Sequence, residues 1–318
     1  MRGAGRLYLL HLTLATVAGL LLSSAAAMIV ARQSLTPPSS QAISDACNNW
    51  IGTGGPASLL GLSIAVLALA ALGLGLRSIG RQVRATRRYL AALRPSAAGF
   101  EIDGVHCHLI DSSEPHAFCA GYLRPRVYLS RGAWDELDPD ELRAVLAHES
   151  HHVRRRDPLR LLAARALADA LFFLPILRRS SERYAALGEL AADEAAVAAS
   201  GGHGPLASAL LKFSESPSHP AAVVALAPER VDHLMGDPDV TRWRLPSSPL
   251  APSLLALAAL AAASFSIWHG LLDPNLQVPL LLAAACTGLM ICGPAILAIA
   301  ALLLSGHALR RRRAWADG

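Results

Sequence analysis

Apolar and polar positions divide this chain into membrane-like and soluble-like stretches. The first long apolar run is Leu7 to Val30, preceded by Arg2 and Arg6, and the second is Ala57 to Leu76. Two more follow near the end, Leu250 to Leu272 and Val278 to Leu304, separated by a tight turn at Asp273 to Gln277. A helix needs ~20 apolar residues to cross a hydrocarbon core, and all four runs reach about that length. The first run has a rival reading as a cleaved signal peptide, because Ser23-Ser24-Ala25-Ala26-Ala27 offers small residues for cleavage. Its apolar core exceeds the usual signal length, which favours a retained span. The last two runs predict a membrane hairpin, kinked if Pro294 lies inside its second helix.

Between the second and third runs the periodicity changes. Phe100 to Ser130 alternates weakly and predicts short strands at Val105–Ile110, His116–Ala120 and Arg126–Ser130. Asp138-Pro139-Asp140-Glu141 then reads as a helix cap, a proline at the first helical position and a capping-box acid. Leu142, Val145 and Leu146 continue that helix as an apolar stripe. Pro158 to Leu177 is apolar but carries Arg160, Arg165 and Asp169 and is broken by Pro175. It reads as a helix packed in a soluble domain or lying along a membrane surface, not as a span. The alanine-rich Ser180 to Ser200 predicts another helix, ended by Gly201-Gly202-His203-Gly204-Pro205, with a short helix over Pro205 to Phe213. Ser214 to Ser248 is a Pro/Ser-rich linker, in which Glu229 to Leu234 reads as a docking segment.

Composition agrees with a membrane protein. The chain is 53% hydrophobic with a mean hydropathy of +0.37, and only 17% of its residues are charged, below the quarter usual for soluble domains. Arg77, Arg81, Arg84, Arg87, Arg88 and Arg94 follow the second run with no acid among them. So close to a span, this arm is expected to touch anionic lipid headgroups, and direct nucleic-acid binding is not expected. Cys47, Cys107, Cys119, Cys286 and Cys292 form no disulfide framework.

The chemistry concentrates at His148-Glu149-Ser150-His151-His152, which reads H-E-x-x-H. On a helix, His148 and His152 stand one turn apart on one face and can bind one zinc ion, while Glu149 leans over the metal as a base. Catalytic zinc needs a third protein ligand and an open position. Glu189, in the alanine-rich helix, is the candidate, and Asp193 one turn on can hydrogen-bond a ligating histidine. His151 is a rival ligand, but it would leave Glu149 without a role. His106, Cys107, His108 and Cys119 could form a second metal site, though their spacing matches no recognised zinc pattern. With zinc on His148, His152 and Glu189, a water at the fourth position would fall to a pKa of about 7. Glu149 would take its proton and pass it to the leaving amine. Arg183, Tyr184 and His203 are candidate second oxyanion donors by residue type.

His148-Glu149-x-x-His152, Arg155-Arg156-Asp157-Pro158-Leu159, Phe172-Phe173-Leu174-Pro175 and Glu189-x-x-x-Asp193, in that order and spacing, resemble the membrane metallopeptidases of the β-lactam sensor-transducer (BlaR/MecR) family. The similarity runs from about Pro115 to Met235. The resemblance implies an α-helical membrane protein with a cytoplasmic α+β zincin-like (gluzincin) metallopeptidase domain, and a signalling role exercised by inactivating a transcriptional repressor. No penicillin-binding sensor domain is expected beyond the last apolar run, so the β-lactam response is not carried over. The expected organisation is two spans over 1–76 with an extracellular loop at 31–56. A peptidase domain with its basic arm follows over 77–248, then a transmembrane hairpin and basic tail over 249–318. Basic residues cluster at the span ends in a way that places both termini and the peptidase domain in the cytoplasm. The small sheet would offer an edge strand to an extended peptide. Clearance of damaged membrane proteins, or a zinc-bearing scaffold without catalysis, are the alternatives. The intact Glu149 favours an enzyme.

Overall fold

The computed structural model describes residues 2–31, 39, 41, 56–95, 99–102, 104–214, 230 and 248–272. The fourth apolar run, the basic tail and most of the 31–56 loop and the 214–248 linker lie outside these residues. The chain divides into two compact units, one of Met1–Leu21 with Leu69–Ala261 and one of Leu22–Ala68 with Ala262–Gly318. Apart from Ser39 and the turn residues 269–272, the described part of the second unit is helical, and almost all of it belongs to the apolar runs.

Among the described residues three helices are long and apolar enough to cross a membrane. These are α1 (Arg2–Ala31), α2 (Pro56–Leu93) and, last along the described chain, α8 (Leu250–Trp268). The second apolar run and the basic arm therefore form one continuous helix of 38 residues. Among its described residues the first unit also holds four strands, β1 (Gly99–Ile102), β2 (Val105–Ile110), β3 (Ala117–Ala120) and β4 (Arg126–Ser130). The short α3 (Arg131–Glu136) and then α4 (Pro139–Arg155), α5 (Asp157–Ala170), α6 (Pro175–Ser200) and α7 (His203–Ser214) follow.

The sheet runs β1-β2-β4-β3. β1 and β2 pair antiparallel, β2 and β4 parallel, and β3 and β4 antiparallel, so β3 is an outer strand. Three strands match the sequence expectation; β1 is an addition, paired with β2 through the turn at Gly104, whose φ is +78°. Alternation along β2 and β4 sends Cys107 and Val127 to one face, where they meet Leu146 of α4, with Leu142 partly buried beside them. Val145, on the next stripe position of α4, packs with Leu129 and Ala133. Each such leucine or valine contributes roughly 1.5–3 kcal/mol of burial, and three of them fix the rotation of α4 under the sheet.

α4 begins as the sequence predicts. The Asp138 side chain accepts from the Asp140 and Glu141 amides, Glu141 accepts from the Asp138 N–H in return, and Pro139 occupies the first turn. α5 is a packed helix with Leu162, Ala164, Ala166 and Ala168 buried, which settles the reading of Pro158 to Leu177 towards the domain interior. The break falls over Leu171–Leu174, and α6 starts at Pro175, five residues before the predicted start.

The first half of α1 also belongs to this unit. Ala4, Leu7, His11, Ala15 and Ala18 recur at spacings of three and four and are buried. Ala4 and Leu7 pack on Tyr184, Leu187 and Leu190 of α6, and Ala15 and Ala18 on Ala168, Leu171, Leu174 and Leu177. His11 Nδ1 meets Ser180 Oγ at 2.7 Å. α2 joins the same unit further along. A Cβ built at Gly75 would stand 3.2 Å from the Cβ of Ala170, so glycine permits the close approach of α2 and α5.

Candidate active site

α4 supplies the first two candidate ligands. His148 and His152 lie one turn apart, and their Nε2 atoms approach to 3.3 Å. α6 runs against α4 and brings in Glu189, whose carboxylate oxygens lie 3.5 Å from His148 Nε2 and 3.7 Å from His152 Nε2. These are the three residues the sequence proposes as ligands, and among the described residues they are the one group of donors gathered closely enough for a metal.

The donor set fits zinc. A tetrahedral ion about 2.0–2.1 Å from each donor demands donor separations of about 3.3–3.4 Å, close to the three distances found. Two further acids set the ring orientation. Asp157 Oδ2 lies 2.9 Å from His152 Nδ1, and Asp193 Oδ1 lies 3.0 Å from His148 Nδ1, the latter off the line of a well-directed hydrogen bond. A proton held at each Nδ1 leaves each Nε2 lone pair directed at the shared centre. The electrostatics agree. Burial opposes a charged His148, but Asp193 and Glu189 outweigh it and hold its pKa well above the usual imidazole range. The same cluster holds Glu189 and Asp193 ionised against their burial. The centre favours positive charge, as a divalent cation would supply.

The sequence pattern alone does not mark Asp157 as a site residue. It reaches His152 because α4 ends at Arg156 in the left-handed conformation (φ 54°, ψ 41°), with the Arg156 N–H bonded to the His152 and Val153 carbonyls. That single residue turns the chain at once into α5, whose first residue is Asp157. Tyr184 donates its hydroxyl to the other oxygen of Asp157 at 3.3 Å.

Arg230 is equally unmarked. It lies in the segment read as a docking element, yet it is buried, donating from Nε to Asp193 Oδ2 at 2.8 Å and from Nη2 to Asp193 Oδ1 at 2.5 Å. Its Nη1 is 3.7 Å from Glu189 Oε2. Burial opposes the guanidinium, but Asp193 and Glu189 reverse that and raise its pKa. The Arg230-Val231-Asp232-His233 stretch follows a Pro/Ser-rich segment and offers no local sign of such a contact.

The competing site readings are not assembled. His151 is buried away from the cluster. Burial and the neighbouring His152 and Arg155 hold its pKa down to about 4, as for a neutral core imidazole. Cys107 is wholly buried against the sheet face, and His108 is engaged by Arg126 at 3.2 Å, so His106, Cys107, His108 and Cys119 do not converge. None of Arg183, Tyr184 and His203 borders the cleft at the centre.

That cleft has a volume of ≈ 490 Å³. Its floor is His148, Glu149 and Glu189, and Pro115 to Tyr122, including β3, form one wall. Val145, Leu161, Leu206, Leu210 and Phe213 make the apolar side. Gln82 and Thr86 of α2 border it as well, and the Tyr122 hydroxyl ties wall to helix, 2.7 Å from Thr86 Oγ1 and 3.1 Å from the Gln82 carbonyl.

A paired-histidine helix with its intervening glutamate, a carboxylate from a following helix as third ligand and a β-lined cleft define a metallopeptidase centre of the H-E-x-x-H class. A profile of peptidase family M48 matches residues 80–242, just over half of the sequence, and the chain belongs to that family. Peptidases of this family depend on a metal, typically zinc. Among curated proteins, "Protease HtpX homolog" of Syntrophobacter fumaroxidans is 36% identical over 84 residues, 26% of this chain and 30% of that protein. "Protease HtpX homolog" of Aquifex aeolicus is 38% identical over 69 residues, 21% of this chain and 23% of the relative. "Protease HtpX" of Psychrobacter sp. is 33% identical over 85 residues, 26% of this chain and 28% of the relative. The chain thus matches under a third of the length of these relatives. No solved structure matches it. These relatives are HtpX proteases, and the narrower likeness to the BlaR/MecR peptidases is not found among them.

Proposed function

We propose that this protein is a membrane-anchored zinc endopeptidase of zincin-like architecture. It cuts extended segments of membrane proteins, or of proteins at the membrane surface, on the cytoplasmic side. One observation carries the substrate class: the cleft is bordered by Gln82 and Thr86, on the helix that emerges from the second apolar run. They stand 6 and 10 residues beyond Leu76, about 9 and 15 Å along the helix axis. A peptide leaving the bilayer beside α2 meets the cleft within a few residues.

His148, His152 and Glu189 would hold a zinc ion, which when bound would supply Lewis acidity towards a carbonyl and acidify water. The chain's own groups do the rest. Asp157 and Asp193 hold the two imidazoles by their Nδ1 sides, Arg230 holds Asp193, and His148, with His152 and Arg230, keeps Glu189 ionised. Glu149, half-buried on the cleft floor, accepts the proton of the attacking water and returns it to the amine of the cut bond. The β3 wall aligns an extended backbone over Glu149, and the apolar side takes a large apolar side chain from the substrate while excluding water. A scaffold would have no use for Glu149 or for such a cleft.

The test is comparative proteomics of membranes carrying the wild-type chain or Glu149→Gln. Accumulation of membrane-protein fragments that depends on Glu149 supports the reading. If the one Glu149-dependent cut falls in a soluble transcriptional repressor, the signalling reading replaces it; identical proteomes leave a non-catalytic scaffold.

A further inference from the structure

A second cavity of ≈ 900 Å³ lies away from the metal centre, where two apolar runs meet their polar flanks. Three separate segments build it: Leu74 to Arg81 of α2, Ala168 to Glu182 at the α5–α6 junction, and Ser248 to Pro252 at the start of α8. Arg77 directly follows the second apolar run and Pro249 directly precedes the third, so the polar-flank ends of two apolar runs frame the cavity.

Its charge is unbalanced. Arg77, Arg81, Arg178 and Arg179 line it with two acids, Asp169 and Glu182. Arg81 Nη2 pairs with Asp169 Oδ2 at 3.2 Å, while Arg178 and Arg179 share Glu182 at 3.3 and 3.4 Å. Among the described residues no ion pair engages Arg77. Two positive charges remain in excess. The N-terminal end of α6 opens here as well, and its dipole adds positive potential. Next to the arginines stand exposed apolar side chains, Phe172 at 52% and Leu74 at 38% exposure. Guanidinium groups match phosphate oxygens in geometry and charge. A site with cations on one side and exposed apolar groups on the other suits a phosphate joined to an acyl chain better than a free ion.

We propose that this cavity binds the phosphate headgroup of one anionic phospholipid, with Phe172 and Leu74 against the start of its acyl chain. A diffuse basic arm alone would attract lipid without a fixed stoichiometry; this cavity gathers arginines from two helices and takes one headgroup. The proposal rests on the membrane-anchored reading above, but its readout is bound lipid and not proteolysis, so the two can fail separately.

The experiment is native mass spectrometry of the full chain in detergent, titrated with phosphatidylglycerol or phosphatidylcholine. The expected result is one phosphatidylglycerol per chain surviving conditions that strip phosphatidylcholine. The double substitution Arg77→Gln/Arg178→Gln should weaken retention by roughly 10- to 30-fold, since each basic contact near a headgroup is worth about a factor of five. Arg87→Gln/Arg88→Gln removes the same charge from the arm outside the cavity and should leave retention unchanged. Equal losses in both doubles would reduce the site to a diffuse field and overturn the proposal. Equal retention of the two lipids by the wild-type chain would overturn it without recourse to any variant. Displacement of the lipid by an equal concentration of inorganic phosphate would assign the site to a soluble anion instead.

Discussion

Arg230 holds Asp193 by both carboxylate oxygens, at 2.8 and 2.5 Å, and Asp193 is wholly buried. The pair crosses 37 residues of sequence and ends 3.0 Å from His148. Removing one member of a buried ion pair strands the other, at a cost of about 3–5 kcal/mol. Arg230→Ala should therefore lower the melting temperature and weaken zinc binding together, because Asp193 and Glu189 lose their shared cation. Arg230→Lys keeps the charge without the fork and should fall between. Wild-type zinc affinity and melting temperature in Arg230→Ala would show that the contact orders a loop and nothing more.

The Asp157 contact with His152 should be read in metal affinity. Asp157→Asn should weaken zinc binding roughly 10- to 100-fold, as other partners of ligating histidines do. Asp193→Asn should behave alike. Competition against a chromophoric chelator measures both. An unaltered constant for Asp157→Asn would leave that residue a mere helix-start acid.

Local signals in the sequence locate most of what lies near in the chain. The capping box at Asp138 and Glu141, the stripe of Leu142, Val145 and Leu146, and the four-residue spacing of the histidines each have a local cause, so α4 is legible from its own residues. Glu189 is reachable because zinc chemistry demands a third donor and the alanine-rich helix offers a carboxylate. Asp157 is not, since its role depends on Arg156 taking a left-handed turn that glycine usually marks. Arg230 is not, because a side chain paired across a long linker leaves no periodicity. Nor can hydropathy show that the first half of α1 packs on α6: an apolar face towards protein reads like one towards lipid, and Tyr8 and His11 are the only ionisable side chains in that run. The short motifs report a zinc geometry and a membrane metallopeptidase, which the M48 family match supports; they are too few to carry the narrower BlaR/MecR likeness.

Glu149 separates binding from chemistry. Glu149→Gln should keep fold and zinc but lose roughly 10²- to 10⁴-fold in peptide hydrolysis, the usual contribution of a positioned base. Glu189→Ala should lose the metal, and His151→Ala should keep it. Full zinc occupancy in Glu189→Ala would return the third ligand to open question.

A pH effect should appear away from the metal. Glu141 accepts from Lys212 Nζ at 2.6 Å and from Ser208, joining α7 to the start of α4. Burial opposes its charge, but Lys212, Ser208 and the Asp138 amide outweigh it and depress its pKa. A depressed carboxyl stabilises the fold above its unfolded value, about 4.3, and that stabilisation is lost as pH falls through the folded value. Glu141→Gln should cost about 1.5–3 kcal/mol at pH 7, as hydrogen bonds to charged groups do. The gap from wild type should close towards pH 3. A gap that stays constant over that range would trace the loss to packing instead.

The last expectation concerns which side of the membrane holds the centre. Ala4 and Leu7 of α1 pack on Leu187 and Leu190 beside the site, and Gln82 and Thr86 of α2 border the cleft. The N-terminal end of α1 and the C-terminal end of α2 must then share a side, with one crossing out and one crossing back between them. α8 would leave from that same side at Pro249, and the fourth run, outside the described residues, would return to it. The arginines agree with this path. Arg2 and Arg6, the six from Arg77 to Arg94, Arg242 and Arg244, and Arg310 to Arg313 flank the runs on the proposed inner side, against Arg32 alone on the outer side. Basic flanks remain in the cytoplasm, so the peptidase unit and both termini should face it. In a cysteine-free background, Ser96→Cys should resist a membrane-impermeant maleimide on intact cells and react once they are opened, and a reporter fused after Gly318 should be active only in the cytoplasm. Labelling of Ser96→Cys on intact cells would invert the topology and, with it, remove every cytoplasmic substrate from reach of Glu149.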